Sequence, residues 1–334
     1  MSVRSRTMLA TFLLFSAAAI MAISSLPADE PALPVVATGQ IVVRTKGALG
    51  TRTISGVIED ISGQTIVLRR AGNTVDVIRL TEVNSIRFQK SPEFEDGLSK
   101  LREQNWNSAL AAFQSAVATE RRPWVNREIL AAMAQSQRAM GLFEECLQTV
   151  EQILVTDPDS RHTTELPLVW DERLPAEQRA RLPITDLQSQ SQVRQLTVAS
   201  ALLQEAEYEA EAMAALQALE KSTHGVLQEL VKAQLWRIRL IHPEQLREAE
   251  INRWSEHARR LDRRTRSGPE FLIGRALLSL HDYDNAAVSF LWMPLLEPLD
   301  PPTTAASLSA AVTALESSGR TSEAARLRQS FQGP

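Results

Sequence analysis

Histidine, cysteine and clustered arginine are the side chains whose types and spacing could do chemistry in this chain. The five histidines are His162, His224, His242, His257 and His281. None sits in a His-Glu-x-x-His pattern, and none stands at ligand spacing from another histidine or from the single cysteine, Cys146. Phosphate-cradling glycine motifs and a Gly-x-Ser-x-Gly nucleophile elbow are absent as well. The expectation is therefore no catalytic residue, no metal site and no cofactor. Glu256-His257 falls in a charge-rich helical stretch and reads as a solvated face, and His281 falls in a turn between helices. Cys146 occupies a small-residue helix contact, which reads as buried packing rather than a reactive thiol. One charge run stands out: Arg259, Arg260, Arg263, Arg264 and Arg266, interrupted by Asp262. On a helix Arg259, Arg263 and Arg266 share a face. That reads as a solvated or salt-bridged helix end, with docking to an anionic partner as the alternative.

The elements that would position these groups follow from composition and period. The chain has 334 residues, 44% of them hydrophobic, enough for two ordinary domains with cores. A net charge of −4 argues against a general nucleic-acid binder, which needs a basic face. At the N-terminus Arg4 and Arg6 precede the apolar run Met8 to Ile23, followed by Ser24, Ser25, Pro27 and Ala28 and then by Asp29 and Glu30. That order is the order of a secretory signal over residues 1–28, with cleavage after Ser24 or Ala28. The run is shorter than the ~20 residues that span a bilayer, which disfavours an uncleaved anchor. The expected location is the periplasm or cell envelope. Membrane contact is expected only if the segment stays uncleaved.

Residues 29–37 carry Pro31 and Pro34 and read as an extended linker. Short Val-, Ile- and Thr-rich runs follow at 39–46, 51–59, 64–70, 74–80 and 84–89, punctuated by Gly47, Gly50, Gly63, Gly72 and Asn73. Alternation puts Ile66 and Leu68 on one face and, in the next run, Val75 and Val77. A core of Ile58, Ile66, Leu68 and Val77 is expected, in a small, strongly bent barrel over residues 38–90 that folds as a unit. Gly56-Val57-Ile58-Glu59-Asp60, Ile66-Val67-Leu68, Ile78-Arg79-Leu80 and Val83-Asn84-Ser85-Ile86 resemble a small SH3-like or Sm-like barrel. The Sm-like RNA-binding loops are not matched, since Phe88 follows Ile86-Arg87 and the loop at Ile61-Ser62-Gly63 has no Asn.

From Pro92 the period becomes helical. Gly97, Trp106, Ala109, Phe113 and Ala116 recur as Ala134, Gly141, Phe143, Cys146, Val150 and Ile153. The spacing returns more weakly at Ser200, Leu203, Ala212, Leu216 and Leu219, then at Gly274, Leu277, Tyr283, Ala286, Phe290 and Met293, and last at Leu315, Gly319 and Ala324. These units resemble tetratricopeptide repeats, in which small residues let the two helices of a pair approach. The stretches Val226–Ile241 and Pro243–Arg264 break the spacing and read as a divergent pair. The resemblance implies a mainly α fold: a tetratricopeptide-like α-solenoid preceded by the small all-β barrel. Repeats occupy 91–158 and 193–332. Between them, residues 159–192 form a proline-rich insertion with the apolar knot Leu166-Pro167-Leu168-Val169-Trp170. Trp170 is expected to pin this insertion onto the helices.

The function expected from this reading is a non-enzymatic scaffold of the cell envelope that holds a partner protein or peptide in a repeat groove. The family pattern places Phe94, Leu98, Leu101, Arg102, Ala131, Gln135, Arg138, Phe271, Arg275 and Leu278 on that groove. The mixture suits an extended peptide with apolar and acidic side chains. The competing reading is an enzyme or polysaccharide-binding envelope protein with its site where the β segment meets the helices, near residues 88–95.

Overall fold

The computed structural model describes residues 38–44, 51–173, 182–241 and 243–331. The expected signal segment and linker, residues 174–181 of the insertion, and His242 lie outside the described residues. Five strands come first: β1 (Thr38–Arg44), β2 (Thr51–Ser62), β3 (Thr65–Arg69), β4 (Val75–Arg79) and β5 (Val83–Arg87). They form one antiparallel sheet in the order β4-β3-β2-β1-β5.

The expected closed barrel is not formed; the sheet stays open, with β4 and β5 as its edges. Closure is one way to cover an apolar sheet face, and here helices cover it instead. Strand β2 sends Ile54 and Ile58 inward and then, after a register shift between Ile58 and Asp60, Ile61. The extra residue of this bulge switches the inward parity, so an isoleucine rather than Asp60 meets the core. Opposite it, Ile66 and Leu68 are fully buried. One expectation for β4 inverts. Val75 and Val77 are exposed, Val77 by 68%, and the buried residue is Ile78. The register sets Ile78 directly across from Ile66, and residues directly opposed share a face.

The helices that cover this face follow in sequence. Helix α1 (Pro92–Arg102) pairs with α2 (Trp106–Thr119), and α3 (Pro123–Ala139) with α4 (Phe143–Thr156). Helix α5 (Gln192–Leu202) pairs with α6 (Glu209–Ser222), and α9 (Ser267–Ser279) with α10 (Tyr283–Leu296). The last pair is α11 (Pro301–Ser317) and α12 (Thr321–Phe331). Between α6 and α9 lie α7 (Gly225–Ile241) and α8 (Glu248–Ala258), joined by a stack of Trp236 on Trp254 with ring centroids 5.0 Å apart. Helix starts are capped by the residues their sequences offer: Ser91 accepts from the Phe94 N–H at 3.2 Å with Pro92 at the first helical position. Asp300 accepts from Thr303 N–H at 2.8 Å in the same way.

Four pairs share one internal geometry. Gly97, Ala109, Phe113 and Ala116 are all buried. So are Ala134, Cys146, Val150 and Ile153; Ser200, Ala212, Leu216 and Leu219; and Gly274, Ala286, Phe290 and Met293. The spacing within each set is identical. The turns match in three of these pairs and in α11–α12: Gln104, Gly141, His281 and Gly319 hold left-handed φ values of 58°, 75°, 62° and 79° at equivalent places, while the α5–α6 turn carries no such residue. A Cβ on Gly97 would lie 2.4 Å from the Phe113 ring, and one on Gly274 would lie 2.8 Å from the Phe290 ring. Both rings are fully buried and have nowhere to go. Helix propensity alone predicts that Gly→Ala stabilises by ~1 kcal/mol. Packing reverses the sign. Gly97→Ala and Gly274→Ala are each expected to cost about 1–3 kcal/mol by urea denaturation of the full chain. A gain in stability at either place would remove the close helix approach.

The sheet does not own its core. Ile58, Ile66 and Leu68 belong to one cluster with Phe94, Phe113, Trp124 and Ile129 of α1, α2 and α3. The Trp124 indole N–H donates to the Ile58 carbonyl at 3.2 Å, and Phe88 meets the Trp124 ring edge-on at 4.7 Å. Arg127 of α3 donates to the Ile61 carbonyl at 2.9 Å and pairs with Asp60. A second, larger cluster runs from α3 and α4 through to α12.

Candidate functional site

The positions expected to line a groove separate into three groups. Phe94 and Phe271 are 4% and 0% exposed. They are core residues, packed on Phe113 and Phe290 at 6.1 and 5.6 Å, and offer no surface to a partner. This corrects their assignment: helical period gives the face a residue lies on, and here that face is covered. Leu98 and Leu101 lie half-buried against the sheet cluster, and Leu278 against the larger one. Ala131 is buried as well. Arg102 alone of the set is exposed, and its Nε donates to the Leu98 carbonyl of its own helix at 3.1 Å.

The remaining three, Gln135, Arg138 and Arg275, are brought together by a segment of the chain itself. Gln135 donates to Glu165 at 3.0 Å, and Arg138, 6% exposed, pairs with the other oxygen of Glu165 at 3.2 Å. Arg275 is ion-paired with Glu172. Glu165 and Glu172 belong to a strap formed by residues 160–173, the first part of the proline-rich insertion. It begins as a single tight helical turn, Arg161–Glu165, and continues as irregular chain in which the Leu168 N–H donates to the Leu166 carbonyl at 2.8 Å. Leu166, Leu168, Val169 and Trp170 are all buried. The Val169 N–H donates to Ser200 Oγ at 2.9 Å, and Gln234 Nε2 donates to the Val169 carbonyl at 3.2 Å. Trp170 lies flat on the backbone of Gly268, where a Cβ would sit 2.3 Å from the indole. The strap thus engages α3, α5, α7 and α9 with backbone hydrogen bonds, apolar side chains and two carboxylates. Those are the contacts an extended peptide would make. Arg138 and Arg275 serve the interior, so truncating either is expected to touch stability rather than partner capture alone.

A cleft of about 690 Å³ remains beside the strap, at the junction of the sheet with the helices. One wall is β5, with Asn84, Ser85 and Ile86, continued by Phe88. The outer edge of β5 pairs with no other strand among the described residues. Ile61 and Leu80 add apolar surface, and Arg263, Arg264 and Glu297 line the side away from β5. Glu128, on the cleft wall, is held by Arg161 and by His162 Nε2 at 3.2 Å. Burial alone would raise the pKa of its carboxyl, but His162 and Arg161 outweigh burial and keep it well below the usual carboxylate range.

The basic run is not a helical face. Helix α8 stops at Ala258, and Asp262 accepts from the N–H groups of Arg264 and Thr265 at 2.9 and 3.1 Å, turning the chain toward α9. An aspartate two and three residues before its donors is the one sequence signal for this turn. Arg263 pairs with Glu297 at 2.8 Å, and Arg266 pairs with Glu270 while stacking on Trp292 at 3.8 Å. Arg264 is exposed, and its guanidinium meets no carboxylate among the described residues.

Among the described residues no cluster of His, Cys, Asp and Glu is placed to hold a metal. Cys146 is buried, and burial pushes its thiol up to about 12, so it is not a nucleophile near neutral pH. No protein-family model matches the sequence, and the comparison with curated proteins finds no match.

Proposed function

We propose that this chain is a non-enzymatic, tetratricopeptide-like scaffold that binds an extended peptide segment of a partner protein along the open edge of β5. The single observation behind this reading is the position of that edge. It lines a cleft that also carries Arg264, whose guanidinium meets no carboxylate among the described residues, while residues 160–173 already cover α3, α5, α7 and α9. An unpaired strand edge supplies main-chain donors and acceptors, Ile86, Phe88 and Leu80 supply apolar contact, and Arg264 supplies a place for an acidic side chain. The repeat-like reading draws support from the four pairs of identical internal spacing and the matching left-handed turns. Export to the cell envelope rests on the order of residues 1–28.

Selection of peptides from a displayed library on the full chain tests the proposal. The expected consensus alternates apolar residues with one acidic position. Arg264→Glu is expected to weaken the selected peptides about tenfold or more, a difference of ~1.4 kcal/mol. Arg102→Ala, which removes an exposed arginine outside the cleft, is expected to leave them unchanged. Equal binding by Arg264→Glu and wild type would place the partner elsewhere.

A further inference from the structure

The outer face of α10 carries a row of apolar side chains that the fold leaves uncovered. Val288 is 70% exposed, Leu295 57% and Leu296 38%, with Leu291 and Trp292 half-buried between them. At about 100° per residue, Val288, Leu291, Trp292 and Leu295 form one stripe. The opposite stripe, with Ala286, Phe290 and Met293, is the one buried against the neighbouring helices. Exposed aliphatic residues scattered singly need no explanation; a continuous stripe on one helix does.

The charge beside the C-terminal half of the stripe is mainly positive, whereas Asp284 stands at its N-terminal end and pairs with Arg320. Arg266 lies over the Trp292 ring, and Arg263 donates to the Leu296 carbonyl at 2.7 Å, so the C-terminal part of the arginine run abuts the C-terminal half of α10. Its five arginines are accompanied by Asp262 within the run and by Glu270 and Glu297 as ion-pair partners, a local surplus of positive charge on a chain whose net charge is −4. Arg259 and Arg260 are exposed and meet no carboxylate among the described residues.

We propose that the outer face of α10 and the adjoining arginine turn dock this protein on an anionic lipid surface. Valine, leucine and tryptophan on one face with arginine beside them is the chemistry of the boundary between headgroups and acyl chains. The stripe is a ridge, with Val288 and Leu295 protruding most. A ridge enters a bilayer surface, whereas an extended peptide needs a concave seat. Among the described residues no helix is long and apolar enough to cross a membrane, so contact through α10 is docking on the surface. This inference rests on α10 with Arg259 and Arg260; Arg263 and Arg264 of the same turn also line the peptide cleft.

The test uses the full chain with Leu295→Cys labelled by an environment-sensitive fluorophore. Cys146, the other cysteine, is buried and stays unlabelled. With mixed phosphatidylglycerol–phosphatidylcholine vesicles the emission is expected to shift to the blue, and the shift is expected to fade at high salt. Arg259→Glu combined with Arg260→Glu is expected to weaken the response about tenfold or more while leaving circular dichroism and melting unchanged. The apolar run at residues 8–23 can itself carry the chain to a vesicle, but the probe reports only on α10. A vesicle-bound chain with unchanged emission overturns the proposal. So does an equal shift on phosphatidylcholine alone, or a full response from the charge-reversed variant, either of which would show that the arginines do not select an anionic surface.

Discussion

Trp170→Ala is expected to lower the stability of the full chain by about 3–5 kcal/mol, the range for deleting a buried large aromatic side chain. Trp170 is 5% exposed and its indole fills the space that Gly268 leaves open. The loss is expected to be local before it is global. Without the indole, the strap keeps the Val169 hydrogen bonds and the two carboxylate pairs, Glu165 with Arg138 and Glu172 with Arg275. Those pairs hold only while the strap lies down. Hydrogen exchange at Val169 and proteolysis within 160–173 should therefore accelerate in Trp170→Ala at denaturant concentrations where the helices remain folded. Arg102→Ala, an exposed change, sets the baseline and should stay within about 0.5 kcal/mol. A Trp170→Ala chain within 1 kcal/mol of wild type would mean the strap is a loose covering rather than part of the core.

Arg127→Ala carries the second large effect. The side chain is 6% exposed and ties three parts of the fold together. It pairs with Asp60 on β2, donates to the Ile61 carbonyl at 2.9 Å, and approaches Asp157 at the end of α4 to 3.9 Å. Asp157 is itself 6% exposed and also accepts the Gly63 N–H at 2.9 Å. Removing the arginine leaves that carboxylate buried without its cation, which costs about 3–5 kcal/mol. The cost lies in the stranded charge rather than in the worth of the pair. Arg127→Met combined with Asp157→Asn should therefore recover most of the stability lost by Arg127→Met alone, measured by urea denaturation of the three chains. No recovery in the double variant would show that the arginine acts through packing and the Ile61 carbonyl instead.

These two side chains mark where sequence reasoning stopped. The paired helices were legible because their signal is local and repeated. A small residue, a turn and a buried aliphatic or aromatic residue recur at fixed spacing, and Gly97 with Phe113 and Gly274 with Phe290 meet as that spacing implies. The strands were legible for the same reason, to within a few residues. Faces were less secure. Alternation in β4 favoured Val75 and Val77, and only the pairing of Ile66 with Ile78 showed that the buried residue is Ile78. The arginine run reads as a helical face until Asp262 is seen accepting the N–H groups that turn the chain.

The candidate site divides along the same line. Its residue types were visible: arginines, a few aromatics, and an insertion with an apolar knot. Helical period placed Phe271, Arg275 and Leu278 on one helix, but it carries no information about what lies above that helix. The strap that takes Arg138 and Arg275 has no period, and its partners Ser200, Gln234 and Gly268 lie far along the chain. Sequence alone determined the helix pairs and the β segment before them, because each is written in neighbours or in spacing. Tertiary structure alone decided that the sheet stays open under α1 and α3, that the chain's own strap packs on α3, α5, α7 and α9, and that a cleft lies beside β5, open among the described residues. Those outcomes depend on which distant surfaces meet, and burial against a distant surface leaves no local pattern.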